Sequence, residues 1–256
     1  MNRDEPQFFD VHALPTERLA DPPVAQGLAV QVVSRASSGG ALTLLARLPA
    51  GWRLDEPGDE ATLEAFVLEG NLELAGSGRV GAGGFVSVPQ GTGPARLSSA
   101  AGAHAFLFWS PGLDLPGELP RTASTYSEQW SPSGLPGMLH ISFRRPDTDG
   151  PPPGGPGGFL RLFSVAPGFR LDSEERHACW EENIMLRGDM WMAGRGTLRA
   201  GWCVANPPGL WHGPMVSKGG AVLLVHCDRP HTLEYRDWQG SPQELARYVE
   251  SAPWAS

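Results

Sequence analysis

The sequence predicts an all-β protein made of two copies of one small barrel, with a single short helix at its C-terminal end. Two observations carry that expectation. Short apolar runs alternate with turns, and Gly 33 and Pro 25 both exceed ordinary usage, which favours many short strands over long helices. The chain also repeats itself. Gly51-Trp-Arg-Leu-Asp55 returns as Gly168-Phe-Arg-Leu-Asp172, 117 residues on. Leu68-Glu-Gly70-Asn-Leu72 returns as Leu186-Arg-Gly188-Asp-Met190, and Gly83 and Pro89 return as Gly201 and Pro207, each 118 residues on. Matches in one order at near-equal offsets mark a duplicated unit. The expected domains are therefore 1–125 and 126–256.

In chain order, residues 1–25 read as an irregular arm with anchors at Phe8, Phe9 and Leu14 and breaks at Pro15, Pro22 and Pro23. Strands are predicted at 28–33 and 41–48, split by the turn Ser37-Ser-Gly-Gly40, then at 66–68, 72–74, 85–88 and 105–108. The second copy opens with a strand at 138–143. The loop 146–158 follows, so rich in glycine and proline that an exposed, mobile segment is expected. Further strands are expected at 159–165, 183–186, 190–192, 202–205 and 221–227. Ser241 as a cap, Pro242 at the first helical position and apolar residues at 245, 248 and 249 predict the closing helix.

Composition excludes several function classes. A net charge of -8 without a basic run argues against a nucleic-acid surface. No apolar stretch approaches a membrane span, and the polar start Met1-Asn-Arg-Asp-Glu5 lacks a signal core. Cys179, Cys203 and Cys227 are odd in number and confined to one half, so no disulfide framework is expected and a reducing cytoplasm is the simplest home. They read as small buried hydrophobes.

Chemistry concentrates between Glu175 and His212. Carboxylates and neutral imidazoles are ordinary ligands of divalent metals. Glu175 and His177 are two apart, which puts them on one face of a strand. Glu181 or Glu182 opens the next strand, and strand alternation lets only one of the two point inward. His212 arrives after the turn made by Pro207 and Gly209. Several carboxylates in an interior would repel one another, and a cation removes that penalty. The metal-ligand candidates are thus Glu175, His177, Glu181 and His212, with Glu182 as the alternative to Glu181.

Gly201, Pro207, Gly209 and His212 match the second half of the cupin pattern, glycine, five residues, then Pro-x-Gly-x-x-His. By residue frequencies such a match arises in roughly 1% of chains of this size, so it carries weight. His177 matches the second histidine of the first half and Glu181 precedes Gly188 by the family's interval, whereas Glu175 stands where the first histidine belongs. With Asn206-Pro-Pro-Gly-Leu-Trp-His-Gly-Pro214 and the following Gly-Gly-Ala-Val-Leu-Leu-Val225, the second copy resembles the ChrR-like cupins, many of them two-cupin proteins of unassigned function. The resemblance covers most of 138–236 and, more faintly, 28–110. It implies double-stranded β-helix (jelly-roll) barrels, a bound divalent ion (Fe, Mn, Zn or Ni), a small-molecule ligand or substrate, and a homodimer paired through sheet edges. The first copy has Gly83, Pro89 and Gly91 in register but Pro94 where the histidine belongs, and no histidine between 13 and 103. It is expected to be a degenerate, structural partner.

Trp211 is a candidate pocket wall because it adjoins His212. Arg187 is a candidate clamp for an anionic substrate, with a surface salt bridge as its default role. His12, His104, His140, His226 and His231 read as ordinary structural histidines. Two functions follow. One is a metalloenzyme of dioxygenase-like or carbonyl-polarising chemistry, the former ranked first because some relatives cleave carbon–carbon bonds of ketone substrates with dioxygen. The other is a sensor or storage cupin that binds a metal or ligand without turnover.

Overall fold

The structure, a computed structural model, describes residues 2–250 apart from 39, 114, 116 and 145–157. The glycine- and proline-rich loop expected at 146–158 therefore lies, but for Gly158, outside the described residues. The chain falls into two compact units, one of residues 1–4 and 11–129, the other of 5–10 and 130–256.

Each unit is an antiparallel barrel of the same plan. In the first, the seven-stranded sheet has at its centre Thr62–Gly70 and Ala103–Ser110, flanked by Gly84–Val88 and Leu42–Leu48. A four-stranded sheet of Trp52–Asp55, Arg96–Ser99, Leu72–Leu74 and Gly78–Val80 belongs to the same unit. Leu44, Leu63, Val67, Leu74, Leu97 and Leu107 belong to one cluster that fills this barrel. Each such side chain contributes about 1.5–3 kcal/mol by leaving water.

In the second unit the central strand is Glu181–Met192, paired with Trp202–Asn206 on one side and Ala221–Cys227 on the other. Phe159–Val165 and Met138–Ser142 extend the sheet. Phe169–Leu171 with Met215–Ser217, and Ser173–Arg176 with Glu234–Asp237, form further antiparallel pairs.

The repeated glycines have a shared physical cause. At Gly70 (φ +75) and Gly188 (φ +83) a Cβ would lie 2.2 Å from Gly102 O and 1.9 Å from Gly220 O. Only glycine tolerates both that φ and that approach. Just before each, the ladder to the neighbouring strand skips one residue, Leu68 in the first copy and Leu186 in the second. Such a β-bulge inverts the alternation. Leu63 and Val67 before the bulge and Leu72 and Leu74 after it accordingly all face one core, as do Met185, Met190 and Met192 in the second barrel.

The N-terminal arm differs from its expected irregular form. Gln7–Asp10 is a strand, and it pairs with Trp202–Asn206 in the second unit, with Phe8 packed on Trp202 at 5.1 Å between ring centroids. Several short strands also went unpredicted, because three or four residues of mixed polarity show no periodicity. The helix spans Pro242–Glu250, and its Leu245 is buried with Trp191 and Val216. Among the described residues no helix is long and apolar enough to cross a membrane.

Candidate metal centre

Backbone pairing brings the centre together. Glu175 and His212 face each other across a β-bridge, with Glu175 N donating to His212 O at 2.8 Å and His212 N to Glu175 O at 3.0 Å. His177 O accepts from Gly209 N at 2.7 Å, which ties the Pro207–Gly209 turn to the same place. Glu181 opens the central strand, opposite Asn206 on one neighbour and Cys227 on the other.

Glu175, His177, Glu181 and His212 are all buried, and all four line one cavity. His212 Nε2 stands 3.6 Å from Glu175 Oε1 and 3.5 Å from Glu181 Oε2. His177 Nε2 stands 3.5 Å from Glu181 Oε1 and 3.9 Å from Glu175 Oε1. Glu181 Oε2 accepts from Asn206 Nδ2 at 3.1 Å. Both imidazoles donate through Nδ1 to a backbone carbonyl, His177 to Thr232 O at 3.2 Å and His212 to Leu210 O at 3.1 Å. A carbonyl can only accept, so Nδ1 carries a hydrogen and Nε2 is the ring atom turned inward, free to ligate once any proton on it is displaced. His177 Nε2 is buried without a hydrogen-bond partner. An orphaned imidazole nitrogen facing two carboxylates fits a divalent ion, since ligands about 2.1 Å from a metal are themselves roughly 3–3.5 Å apart.

The charges agree with that donor set. Burial alone would lower His212, but the Glu175 and Glu181 carboxylates outweigh it and raise the imidazolium to about 10. Burial likewise works to raise Glu181, yet His177, His212 and His231 hold its carboxyl well below the usual range. Without a metal the two carboxylates are thus partly neutralised by a proton on imidazole, and a divalent cation competes with that proton.

Glu182 points away from this group. It lies on the opposite face of its strand, with His226 Nδ1 3.3 Å from its Oε2. Trp211 and Arg187 are not among the residues lining the cavity. The guanidinium groups of Arg176 and Arg236 stand over the Trp211 ring, 4.7 and 4.4 Å from its centroid, and Arg187 is exposed. His212, at an isolated bridge, lines the cavity, and its neighbour Trp211 does not.

One residue given an ordinary structural role by sequence belongs to the site. His231 lines the cavity and stacks on His177 at 4.2 Å between centroids, interplanar angle 29°. Burial, then the charge of His177, lowers it to about 4. It follows the last barrel strand in a loop whose spacing to the other histidines carries no signal. Two further groupings of donor atoms include it, His177–Glu181–His231 and Cys179–Cys227–His231. Burial raises the thiols of Cys203 and Cys227 well above their ordinary value, so neither is a nucleophile at neutral pH. Among the described residues, all such groupings of three or more donors lie in the second unit.

The cavity holds about 430 Å³. Its walls are Met138, Met190, Met192 and Met215 with Phe159 and Phe163. That is the size and lining of a small-molecule site.

No protein-family model and no curated protein matches this chain. Solved structures do. A candidate dioxygenase from Nostoc punctiforme is 16% identical, covers 93% of this chain and 88% of its own, and superposes with a TM-score of 0.73. A cupin 2 conserved barrel domain protein from Leptotrichia buccalis is 10% identical, over 87% of this chain and 96% of its own, with a TM-score of 0.57. Oxalate decarboxylase from Bacillus subtilis, studied for its Mn(II) centres, is 13% identical over 96% of this chain and 84% of its own, with a TM-score of 0.58. The fold is that of the cupins, as two tandem barrels. At these identities the likeness concerns the fold alone.

Proposed function

We propose that this protein is a metal-binding bicupin of the ChrR-like kind, and that its C-terminal barrel holds one divalent ion on Glu175, His177, Glu181 and His212. We read it as a small-molecule metalloenzyme. The observation that carries the reading is the pair of Nε2 atoms turned toward two carboxylates inside an apolar cavity, each ring fixed by its Nδ1 bond to the backbone. The ion, when bound, supplies Lewis acidity toward a carbonyl or, if it is iron, the redox chemistry of an oxygenase.

The chain's own residues do the rest. The Nδ1 bonds fix tautomer and ring orientation, which raises the basicity of the opposite nitrogens. Asn206 holds the Glu181 carboxylate in place. The methionine and phenylalanine walls keep bulk water from the reacting atoms and strengthen every charge interaction inside. Tyr235, raised to about 12 by burial and then by Glu175, keeps its phenolic proton and stays a hydrogen-bond donor in the cavity.

His212→Ala is expected to abolish stoichiometric metal in protein purified without added metal, read by elemental analysis, with the circular dichroism of the fold intact. Full retained occupancy would refute the assignment. Oxygen uptake with a panel of ketones then separates the two functions. Bound iron that consumes oxygen supports the enzyme, whereas tight zinc without turnover supports a sensor or storage protein. The second reading has an observation of its own: two carboxylates balance a divalent charge, and four protein donors leave fewer places for a substrate than three.

A further inference from the structure

The cavity contains a charge that metal binding does not use. Arg161, on the strand Phe159–Val165, lines it and is only 6% exposed. Its guanidinium lies over the Phe159 ring, 4.3 Å from the centroid, and its Nε donates to Ser142 Oγ at 3.1 Å. Among the described residues no carboxylate forms an ion pair with it. The titratable groups that feel its charge or act on it are His140, His231 and Cys227. An imidazole is neutral or positive in either protonation state, and Cys227 is a buried thiol. None supplies a counter-charge. A guanidinium stays ionised even when buried, with a planar fork of donors shaped for a carboxylate.

The fold does not require an arginine there. Arg161 pairs with Val225 as Leu44 pairs with Leu107 in the first barrel, and Leu44 is a fully buried core residue. The surroundings also fix the rest of the ligand. Apart from the Glu/His group, Arg161 and the polar Ser133 and Asn183, the walls are mostly thioether, aromatic and aliphatic, which accommodate an apolar body of adaptable shape. A single cation matches one carboxylate better than a phosphate dianion. Arg161, Phe159, His231 and His177 follow one another in ring-to-ring contact, with Phe159 and His231 5.3 Å apart. This run leads from the charge to the Glu/His group.

We propose that Arg161 is the carboxylate receptor of this cavity and that its ligand is a monocarboxylic acid with an apolar body, the anionic end at Arg161 and the carbon body along the methionine walls. The inference deepens the metalloenzyme reading by naming its substrate class, and it rests on that reading for the cavity being the working site.

The test is calorimetric titration of the full chain, metal-free and Mn(II)-loaded, with 3-phenylpropanoate, hexanoate and octanoate and with the amide of each. At least one acid is expected to bind more tightly than its amide by roughly 10- to 100-fold, the span of a charged hydrogen bond. Arg161→Gln should remove that preference and leave amide binding unchanged, Arg161→Lys should keep part of it, and Arg187→Gln should change nothing. Equal binding of acid and amide, no millimolar binding by any acid, or an Arg161→Gln protein that still prefers the acid would overturn the proposal. The acid–amide comparison needs no variant, so it decides even if Arg161→Gln fails to fold. Metal stoichiometry measured on the same samples separates the two readings. An acid preference without stoichiometric metal sinks the metal centre alone, and metal without an acid preference sinks the carboxylate receptor alone.

Discussion

The two barrels share a backbone plan and differ in what fills it. Leu63 pairs with Val88 and Trp109 in the first barrel as Glu181 pairs with Asn206 and Cys227 in the second. Leu44 stands where the second barrel has Arg161, and Pro94 where it has His212. Leu44 and Leu63 are core residues, whereas their counterparts line a cavity. The comparison teaches that the fold closes around a core of apolar side chains, Trp109 among them. The polar set in the second barrel works against stability by several kcal/mol of desolvation, and such a set persists where a ligand compensates it.

The most disruptive way to break the comparison is to give the first barrel one polar group without its partners. Leu63→Glu should destabilise the protein by about 3 kcal/mol or more, read from urea unfolding, because the new carboxyl has no imidazole or cation to meet it. A change within about 0.5 kcal/mol would show that the first barrel has room for a polar site.

Two neighbouring glutamates sharpen the comparison next. Glu181→Gln should weaken metal binding by about 100-fold or more, since it removes a ligand charge. Glu182→Gln should leave metal stoichiometry and affinity as they are and lower stability by about 1–3 kcal/mol through its buried contact with His226. The reverse pattern would mean that the strand seats in the other register.

The smallest effect is a pH optimum of stability in the metal-free protein. His140 and His231, lowered to about 4, contribute stability that is complete above their ordinary value of 6.5 and is lost as pH falls from there toward 4. His212, raised to about 10, contributes stability that is complete below 6.5 and is lost as pH climbs toward 10. The melting temperature should therefore peak near pH 6.5 and fall on either side. Saturating Zn(II) should flatten the alkaline limb, because a bound ion takes over the neutral imidazole. An alkaline limb unchanged by zinc would count against His212 as a ligand.

Much of this was legible from residues alone. The duplicated glycines and prolines sit at backbone positions with strict steric demands, so they survive as a readable pattern even where side chains diverge. Spacing likewise brought Glu175, His177 and His212 forward as candidates, and the structure gathers all three in one cavity. Other features depend on register. Spacing to Gly188 favoured Glu181 over Glu182, and the pairing of their strand turns Glu181 into the cavity and Glu182 toward His226. His231 reaches the cavity on a loop, and Arg161 looks like a routine cation on an apolar strand until its place in the cavity wall is seen. Ser173–Arg176 is a strand of charged residues held by cross-strand pairs such as Arg236–Glu174 at 2.8 Å, which no hydrophobic alternation announces.

The strand Gln7–Asp10 bears on how the molecule is made. It is synthesised well before its partner Trp202–Asn206 and before Arg195, whose Nη1 donates to Gln7 O at 3.2 Å. The whole first barrel can fold while that strand waits without a partner, a delay during which an apolar segment is open to wrong pairing. A C-terminal half released on its own would expose the sheet edge that carries Asn206. Cutting the gene between its two repeats therefore does not cut the protein between its two working parts.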